Sequence, residues 1–378
     1  AGNLVVRCDS STALNPGDRA VVRGKIYPFT ARHGGYGRLM TRRGYVGTLY
    51  LNRSSLLLSD TLHRELSPKH LSLFLHERAV ARLDRLALAP DEQALCNAMT
   101  AGDRRSLSPA LRAAYSRSGT SHLLAVSGLH VGIVFLLANL LLWWLPLFRH
   151  GHILRNIAVI LLIWLYAATT GFPPSVVRAA LMFSVLQFAL ASSSEYVGMN
   201  TLAGVAFVML LFHPDYLFDI SFQLSFIAVA GIIAWGLPLC RLLRTRRKSI
   251  DMLTATLAIG FSASAATAPL ISHTFGQISV VGLALNPVVI LLSYVVVGSC
   301  TLWLVIPGTV LAPLFSVVAG FAARAQNELI RAAAALPAAA LDIRLTTTQC
   351  WIVYGLFIFA TLLLWSAERK KSVSSLPE

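Results

Sequence analysis

The chain has 378 residues, of which 56% are hydrophobic and only 13% are charged, and its mean hydropathy is +0.65. Soluble domains use about 25% charged residues, so this composition excludes an ordinary water-soluble protein and indicates an integral membrane protein. The net charge of +15 is concentrated in residues 1–121, which hold 18 Lys and Arg against 9 Asp and Glu. That part is expected to attract polyanions or anionic lipid.

Residues 1–60 are predicted to form a small β unit. Apolar and basic residues alternate across 19–29, as in a strand, and two further strands are predicted at 36–40 and Tyr45–Leu51, joined by a turn at 41–44. Basic strands are a candidate nucleic-acid surface with aromatic stacking platforms, although an ordinary solvated face is the alternative. The candidate aromatic residues are Tyr27, Phe29, Tyr36 and Tyr45, and the candidate DNA-binding cations are Arg19, Arg23, Lys25, Arg38, Arg42 and Arg43.

Residues 61–121 change to a helical period and are predicted to form an amphipathic helical connector. Apolar residues recur at helical spacing from Leu71 to Leu86, with His, Arg and Glu between them. A second helix is predicted at 91–101, and Ser108 with Pro109 is predicted to begin a third.

Residues 122–371 are predicted to form a polytopic α-helical membrane domain of eight or nine segments, followed by a tail at 372–378. Several segments are short or broken by Gly and Pro, which favours discontinuous or re-entrant helices around a polar cavity. If all nine cross, the basic clusters after the first, fifth and ninth lie on one side, opposite the N-terminal part. The predicted segments are 122–148, 153–171, 175–193, 197–213, 217–240, 254–275, 278–306, 309–332 and 350–367.

The first polar group in this apolar region is the stretch HLLAVSGLHVG. At helical spacing His122, Ser127 and His130 fall within one wedge, and Gly128 and Gly132 permit close backbone approach or a helix break. Polar side chains in hydrocarbon are expensive and mark functional paths. The alternative is that each histidine is an ordinary hydrogen-bonded structural residue.

Three later groups are further candidates for a channel lining. Arg178 is an isolated cation beside two prolines, and its guanidinium suits phosphate oxygens, with snorkelling as the alternative. Asp219 and Gln223 share a helix face, with helix capping as the alternative for the aspartate. His273 and Asn286 lie in a segment broken by Gly and Pro, which an interfacial turn would also explain.

Several common site types are not predicted. The five cysteines are scattered without a CxxC pair, so neither a zinc site nor a disulfide framework is indicated. No GxxxxGK[ST] loop occurs, so no cofactor or nucleotide is expected and any pulling force must come from a partner. The sequence opens AGNLVV without Met and is interpreted as a fragment of a longer reading frame.

Four stretches, in order, closely resemble the competence domain of the ComEC family: HLLAVSGLHVG, PPSVVRAALM, HPDYLFDISFQLSFIAVAGI and the block ending FGQISVVGLALNP. The stretch LNPGDRAVVRGKIYPF resembles part of that family's OB fold, which implies a partial OB-like domain at 1–60. The resemblance implies a bacterial inner-membrane channel that passes single-stranded DNA into the cytoplasm during natural transformation. The basic clusters predict that the N-terminal part faces outward. The resemblance further implies a cytosolic helicase or translocase and a competence protein that delivers the DNA.

Many members of that family also carry a metallo-β-lactamase-like nuclease domain with a His-x-His-x-Asp-His cluster. Here His150 and His152 lack the following Asp-His, so no metal site, catalytic residue or strand-degrading activity is predicted, which leaves that role to a separate nuclease. Two alternatives stay open. One is a membrane enzyme that uses His122, His130 and Asp219, and the other is a non-transporting relative.

Overall fold

The computed structural model describes residues 3–8, 19–29, 37, 40–41, 44–51, 56–60, 68–192, 198–279, 281–306, 310–336 and 340–374. In the N-terminal unit, β1 (Asn3–Cys8) runs parallel to β4 (Tyr45–Leu51), and β3 (Ile26–Pro28) pairs antiparallel with the other side of β4. A second sheet pairs β2 (Arg19–Val22) antiparallel with β5 (Leu56–Asp60).

The predicted strand at Tyr45–Leu51 is confirmed, but two other strand predictions are corrected. The segment 19–29 is divided between β2 and β3, which lie in different sheets, because residues 23–25 leave the ladder. At 36–40, the described residues Gly37 and Met40 are helical, and Thr41 Oγ1 donates to the Gly37 carbonyl oxygen at 2.9 Å. This local hydrogen bond satisfies a backbone acceptor without a strand partner.

Three helices follow, as predicted: α1 (Pro68–Leu83), α2 (Pro90–Thr100) and α3 (Pro109–Arg117). Ser108 caps α3 by accepting from the Leu111 N–H, so the predicted helix start is confirmed. Helix α1 is tied to the ends of two later helices, since Ser72 Oγ donates to the Ala168 carbonyl oxygen and Arg82 Nε donates to that of Trp303. Helix α2 is a core helix rather than an amphipathic surface helix, because its residues 94–100 are all buried.

The rest of the described chain is mostly helical, which confirms a polytopic helical membrane protein. Five of its segments are long and apolar enough to cross a membrane: Gly128–Leu147, Gly151–Thr169, Ile220–Leu242, Ile250–Phe275 and Ala284–Val305. Three shorter apolar helices cover Pro174–Leu190, Gly198–Phe212 and Thr347–Leu362. The helices are α4 Gly128–Leu141, α5 Gly151–Thr169, α6 Pro174–Ser192, α7 Gly198–Phe212, α8 Ile220–Gly231, α9 Leu237–Leu242, α10 Lys248–Phe275, α11 Val281–Val305, α12 Ala312–Ala334 and α13 Thr347–Ser374.

The predicted span at 309–332 forms α12, but it is not among the helices that qualify to cross a membrane in the described residues. It carries Arg324, Glu328 and Arg331, and its buried face includes Gln326 and Asn327. The eight apolar helices of the described part thus agree with the predicted eight or nine segments, and 309–332 is the predicted span that does not qualify. If all eight cross, the basic C-terminal cluster lies on the side of the N-terminal unit.

Two cores position the candidate site. The larger core joins α2 and α3 to α11 and α12, with Met99, Tyr115, Val296 and Ile330 buried together. The second core lies between α4, α5 and α6 and is built from small and β-branched residues such as Val131 and Ala180. Small side chains let these helix backbones approach closely, which brings polar residues of different helices into contact.

Candidate functional site

The start of α4 holds the first pair of predicted site residues. The Ser127 N–H donates to His130 Nδ1 at 2.9 Å, which is the His130 arm of a capping box. Ser127 Oγ also lies 3.1 Å from the same nitrogen. Because Nδ1 accepts a backbone hydrogen bond, the neutral ring carries its proton on Nε2. His130 is completely buried, and its Nε2 has no hydrogen-bond partner in the protein.

The side chain of Arg178, on α6, also packs at the start of α4. Its side chain is 7% exposed, and both Nε and Nη1 are buried without a partner. A Cβ at position 128 would lie 3.0 Å from Nη2, so the guanidinium packs directly on Gly128. On its other side the guanidinium carbon lies 5.7 Å from the centroid of the Phe226 ring. Among the described residues no carboxylate forms an ion pair with Arg178.

A tight turn positions α6 so that Arg178 can face α4. Gly171 and Phe172 both have positive φ, +83° and +53°, and Pro174 then begins the helix. A positive φ at a bulky residue is strained and tends to occur at functional sites. Ser175 Oγ donates to the Val126 carbonyl oxygen at 3.0 Å, which ties the start of α6 to the segment before α4.

A row of aromatic rings leads to Arg178. His213 stacks on Tyr216 at 5.0 Å between ring centroids, Tyr216 lies 6.3 Å from Phe222, and Phe222 lies 4.3 Å from Phe226. His213 is exposed, whereas Phe222 is buried. The row therefore runs from the surface of the protein to the guanidinium.

Asp219 and Gln223 are close to this row. Asp219 Oδ1 accepts from the Ser221 and Phe222 N–H groups, so the predicted helix-capping alternative is confirmed for this residue. Gln223 Nε2 donates to the Leu217 carbonyl oxygen at 2.8 Å. Both side chains thus stabilise the start of α8, and a role in a path for DNA is still a prediction for each.

The other predicted lining residues lie in different settings. His122 is exposed on a 3-10 turn, Ser121–Leu124, before α4. Gly132 faces Phe183, and a Cβ there would lie 3.3 Å from the ring. His273 Nδ1 lies 3.0 Å from the Leu345 carbonyl oxygen, and Asn286 Oδ1 is buried without a partner in the protein. The contacts described above join Ser127 to His130 and Gly128 to Arg178, and we term these four residues the His–Arg cluster.

The N-terminal unit presents a second candidate surface. Tyr27 and Tyr50 are about half exposed and meet edge to face with their centroids 5.7 Å apart. Lys25 Nζ lies 5.9 Å from the Tyr27 ring, and the Arg7 guanidinium lies 5.9 Å from the Tyr50 ring. We term these four residues the β-unit patch.

The predicted basic residues of this unit are only partly described. Arg23 and Lys25 are exposed, and Arg19 lies in β2. Arg38, Arg42 and Arg43 lie outside the described residues, as does Tyr36. Sequence reasoning missed Arg7 and Tyr50, which lie in separate strands and meet only because β1 pairs with β4.

Comparison with protein families identifies the family to which the chain belongs. The family model described as "Competence protein" matches residues 99–370. The chain belongs to the competence protein family. The match contains the His–Arg cluster and the apolar helices but not the β unit, whose OB-like character is therefore still a prediction.

Two curated relatives of this competence protein are similar over about half of its length. It is 32% identical over 204 residues to "ComE operon protein 3" of Bacillus subtilis (strain 168), which covers 53% of this chain and 24% of the relative. It is 29% identical over 201 residues to an "Uncharacterized protein" of Aquifex aeolicus (strain VF5), with 53% and 45% covered. The chain thus spans less than half the length of these relatives, and no solved structure matches it.

This competence protein also contains a polar network that the sequence analysis missed. Tyr115 Oη donates to Asn327 Oδ1 and accepts from Gln326 Nε2, and Asn327 Nδ2 donates to the Asp91 carbonyl oxygen. Burial raises the pKa of the Tyr115 phenol well above its usual value, so this donor stays protonated. Beside it lies a pocket of about 380 Å³ whose charges are paired, Arg324 with Glu92 and Arg331 with Asp91.

The residues of the alternative enzyme hypothesis do not form a metal-binding group. Among the described residues, no three His, Cys, Asp or Glu side chains are arranged to hold a metal ion. His122 lies on the 3-10 turn before α4, His130 contacts Ser127, and Asp219 caps α8. Cys96, Cys240, Cys300 and Cys350 are free thiols.

Proposed function

We propose that this chain is a bacterial inner-membrane channel that passes single-stranded DNA into the cytoplasm during natural transformation. The observation that carries the proposal is the buried guanidinium of Arg178, which packs on Gly128 at the start of α4 and has two nitrogens without a partner. The second support is membership of the competence protein family.

The energetics of Arg178 favour an anionic substrate. Removal of a charge from water costs several kcal/mol even after relaxation, unless the charge is paired. Arg178 bears this cost without a carboxylate partner in the described residues. A DNA phosphate would supply the missing acceptors, since a guanidinium binds phosphate through parallel N–H donors. His130 Nε2–H, which also has no partner in the protein, is a further donor at the start of α4.

The aromatic row favours a single strand. Unpaired bases stack on aromatic side chains without regard to sequence, whereas a duplex has no free base faces. The exposed His213 and half-buried Tyr216 would be met before Phe226 and Arg178. Asp219, Gln223, His273 and Asn286 are proposed as further lining residues on the basis of the sequence alone.

The proposed orientation follows from the basic loops. Arg149 follows the first apolar helix and Arg155 lies near the start of the second. Arg241 lies at the end of the fifth and four more cations follow it, and Lys and Arg are retained on the cytoplasmic side. The N-terminal unit would then face outward and receive DNA from a delivering competence protein. A cytosolic helicase or translocase would pull the strand, and a separate nuclease would degrade its complement.

The test replaces Arg178 with Met, which has similar length and no charge. Removal of an unpaired buried charge should leave the melting temperature equal or higher. DNA uptake should fall about tenfold or more, because hydrogen bonds to charged groups contribute about 1.5–3 kcal/mol each. Uptake is measured as labelled DNA protected from external nuclease, at matched protein abundance.

Arg155→Met is the matched control. Arg155 Nη2 donates to Asn139 Oδ1 at 2.9 Å, so this arginine has a structural partner and its loss should lower the melting temperature. Normal uptake by the Arg178→Met protein would contradict the proposal. A large loss of thermal stability in that variant would instead show that Arg178 is structural.

A further inference from the structure

The loop between the fifth and sixth apolar helices is the most strongly charged exposed segment of the described chain. Residues 241–248, which run from the end of α9 to the first residue of α10 and which we term the basic loop, carry five cations, all exposed: Arg241, Arg244, Arg246, Arg247 and Lys248. None of the five forms an ion pair with a carboxylate among the described residues. The nearest acidic residue in sequence, Asp251, accepts from the Thr245 N–H at 3.0 Å and so holds the loop backbone rather than a cation.

Large apolar side chains surround these cations. Leu242 is 80% exposed and Met252 is 71% exposed, and Leu243 and Leu253 are also exposed. Exposed leucines and methionine beside arginines are unfavourable in water. The same arrangement is favourable at a membrane surface, where the apolar side chains enter the acyl region and the cations stay among the headgroups.

The position of the loop between two candidate spans places it at the membrane surface. Seven residues separate Leu242, the last residue of one candidate span, from Ile250, the first of the next. Even a fully extended chain of seven residues covers only about 25 Å. The cations are therefore held beside the headgroups and cannot extend as an independent domain.

We infer that the basic loop, with Leu242, Leu243, Met252 and Leu253, is a binding site for anionic phospholipid. The guanidinium groups bind the lipid phosphate, and the apolar side chains contact the first carbons of the acyl chains. The site lies apart from the His–Arg cluster and does not depend on DNA transport. It would anchor the end of α9 and the start of α10.

The experiment titrates the purified full chain in detergent with dioctanoyl phosphatidylglycerol and counts bound lipid by native mass spectrometry. Substitution of Arg244→Gln, Arg246→Gln and Arg247→Gln together should weaken phosphatidylglycerol binding by at least about tenfold, since each cation contributes to attraction by anionic lipid. Binding of dioctanoyl phosphatidylcholine should not change. The triple change to Lys should retain binding within about threefold, since lipid attraction follows charge.

The matched control removes three exposed cations of the helical connector, Arg85→Gln, Arg112→Gln and Arg117→Gln, and should retain phosphatidylglycerol binding. Equal loss in both triple variants would overturn the proposal, because net charge alone would then explain it. Competition by inorganic phosphate would also overturn it, since the apolar contacts would be irrelevant. Loss of oligothymidylate binding with unchanged lipid binding would reassign the loop to nucleic acid.

Discussion

Gly128 is the residue on which the geometry of the His–Arg cluster depends. A methyl group at this position would lie 3.0 Å from Arg178 Nη2 and 3.6 Å from Ala179 Cβ. In Gly128→Ala the guanidinium must therefore shift away from position 128, at an overpacking cost of about 1–3 kcal/mol. We expect a lower melting temperature and a loss of DNA uptake larger than the loss of folded protein. Both are measured on the same membranes.

Gly204→Ala on α7 is the control for this change. No atom lies within 4 Å of a Cβ built at Gly204, so the methyl group has space. Alanine within a helix is favoured over glycine by about 0.5–1 kcal/mol, so this variant should be as stable as the parent or more stable, with normal uptake. Equal behaviour of the two glycine variants would refute the packing argument.

Residue types in the sequence predicted the members of the cluster but not their partners. The spacing of Ser127 and His130 is local, so their capping contact follows from helix geometry. The contact between Arg178 and Phe226 joins residues 48 positions apart, and no helical period encodes such a contact. For the same reason the sequence left open whether Asp219 caps α8 or lines a path.

At the scale of elements, the polar network predicts that α12 is held by protein rather than by lipid. Tyr115→Phe removes only the hydroxyl and leaves Asn327 Oδ1 without its buried donor. An unsatisfied buried polar group costs about 1–3 kcal/mol, so the melting temperature in detergent should fall measurably. Tyr294→Phe on α11 is the control, because Tyr294 is 37% exposed and should tolerate the change. An unchanged melting temperature in the Tyr115→Phe variant would favour the membrane span predicted at 309–332.

The helices could be located from the sequence because their apolar runs are long, and the predicted start of α3 at Ser108 is confirmed by its cap. Whether protein or lipid surrounds α12 could not be predicted in this way. High hydropathy indicates only that a helix is shielded from water. The core that α12 forms with α2, α3 and α11 shields it as lipid would. The signal that was missed is the run of Arg324, Gln326, Asn327 and Glu328, which places polar groups on two faces of the helix.

At the scale of the whole molecule, two regions with different chemistry are proposed to act at different stages of DNA uptake. The β-unit patch is exposed and combines two cations with two half-exposed tyrosines, which suits first capture of an unpaired strand. The His–Arg cluster is buried and has hydrogen-bond donors without partners, which suits passage. Strand alternation predicted only part of this patch, since the pairing of β1 with β4 that brings Arg7 to Tyr50 is a long-range contact.

This division predicts that capture and passage can be separated by mutation. Tyr27→Ala with Tyr50→Ala should weaken binding of the purified full chain to oligothymidylate, because each base–aromatic stack contributes about 1–3 kcal/mol. Lys25→Gln with Arg7→Gln should also reduce the dependence of binding on salt, since fewer counterions are released. Both double variants should lower the amount of DNA bound to cells and internalised DNA in proportion.

Val46→Thr is the control within the same sheet, because Val46 is 55% exposed on β4 and is not part of the patch. Arg178→Met should show the opposite pattern, with normal DNA binding at the surface and little nuclease-protected DNA. If patch variants bind oligothymidylate normally, capture is not a property of the β unit. If Arg178→Met lowers surface binding as much as internalisation, the two regions do not act in sequence.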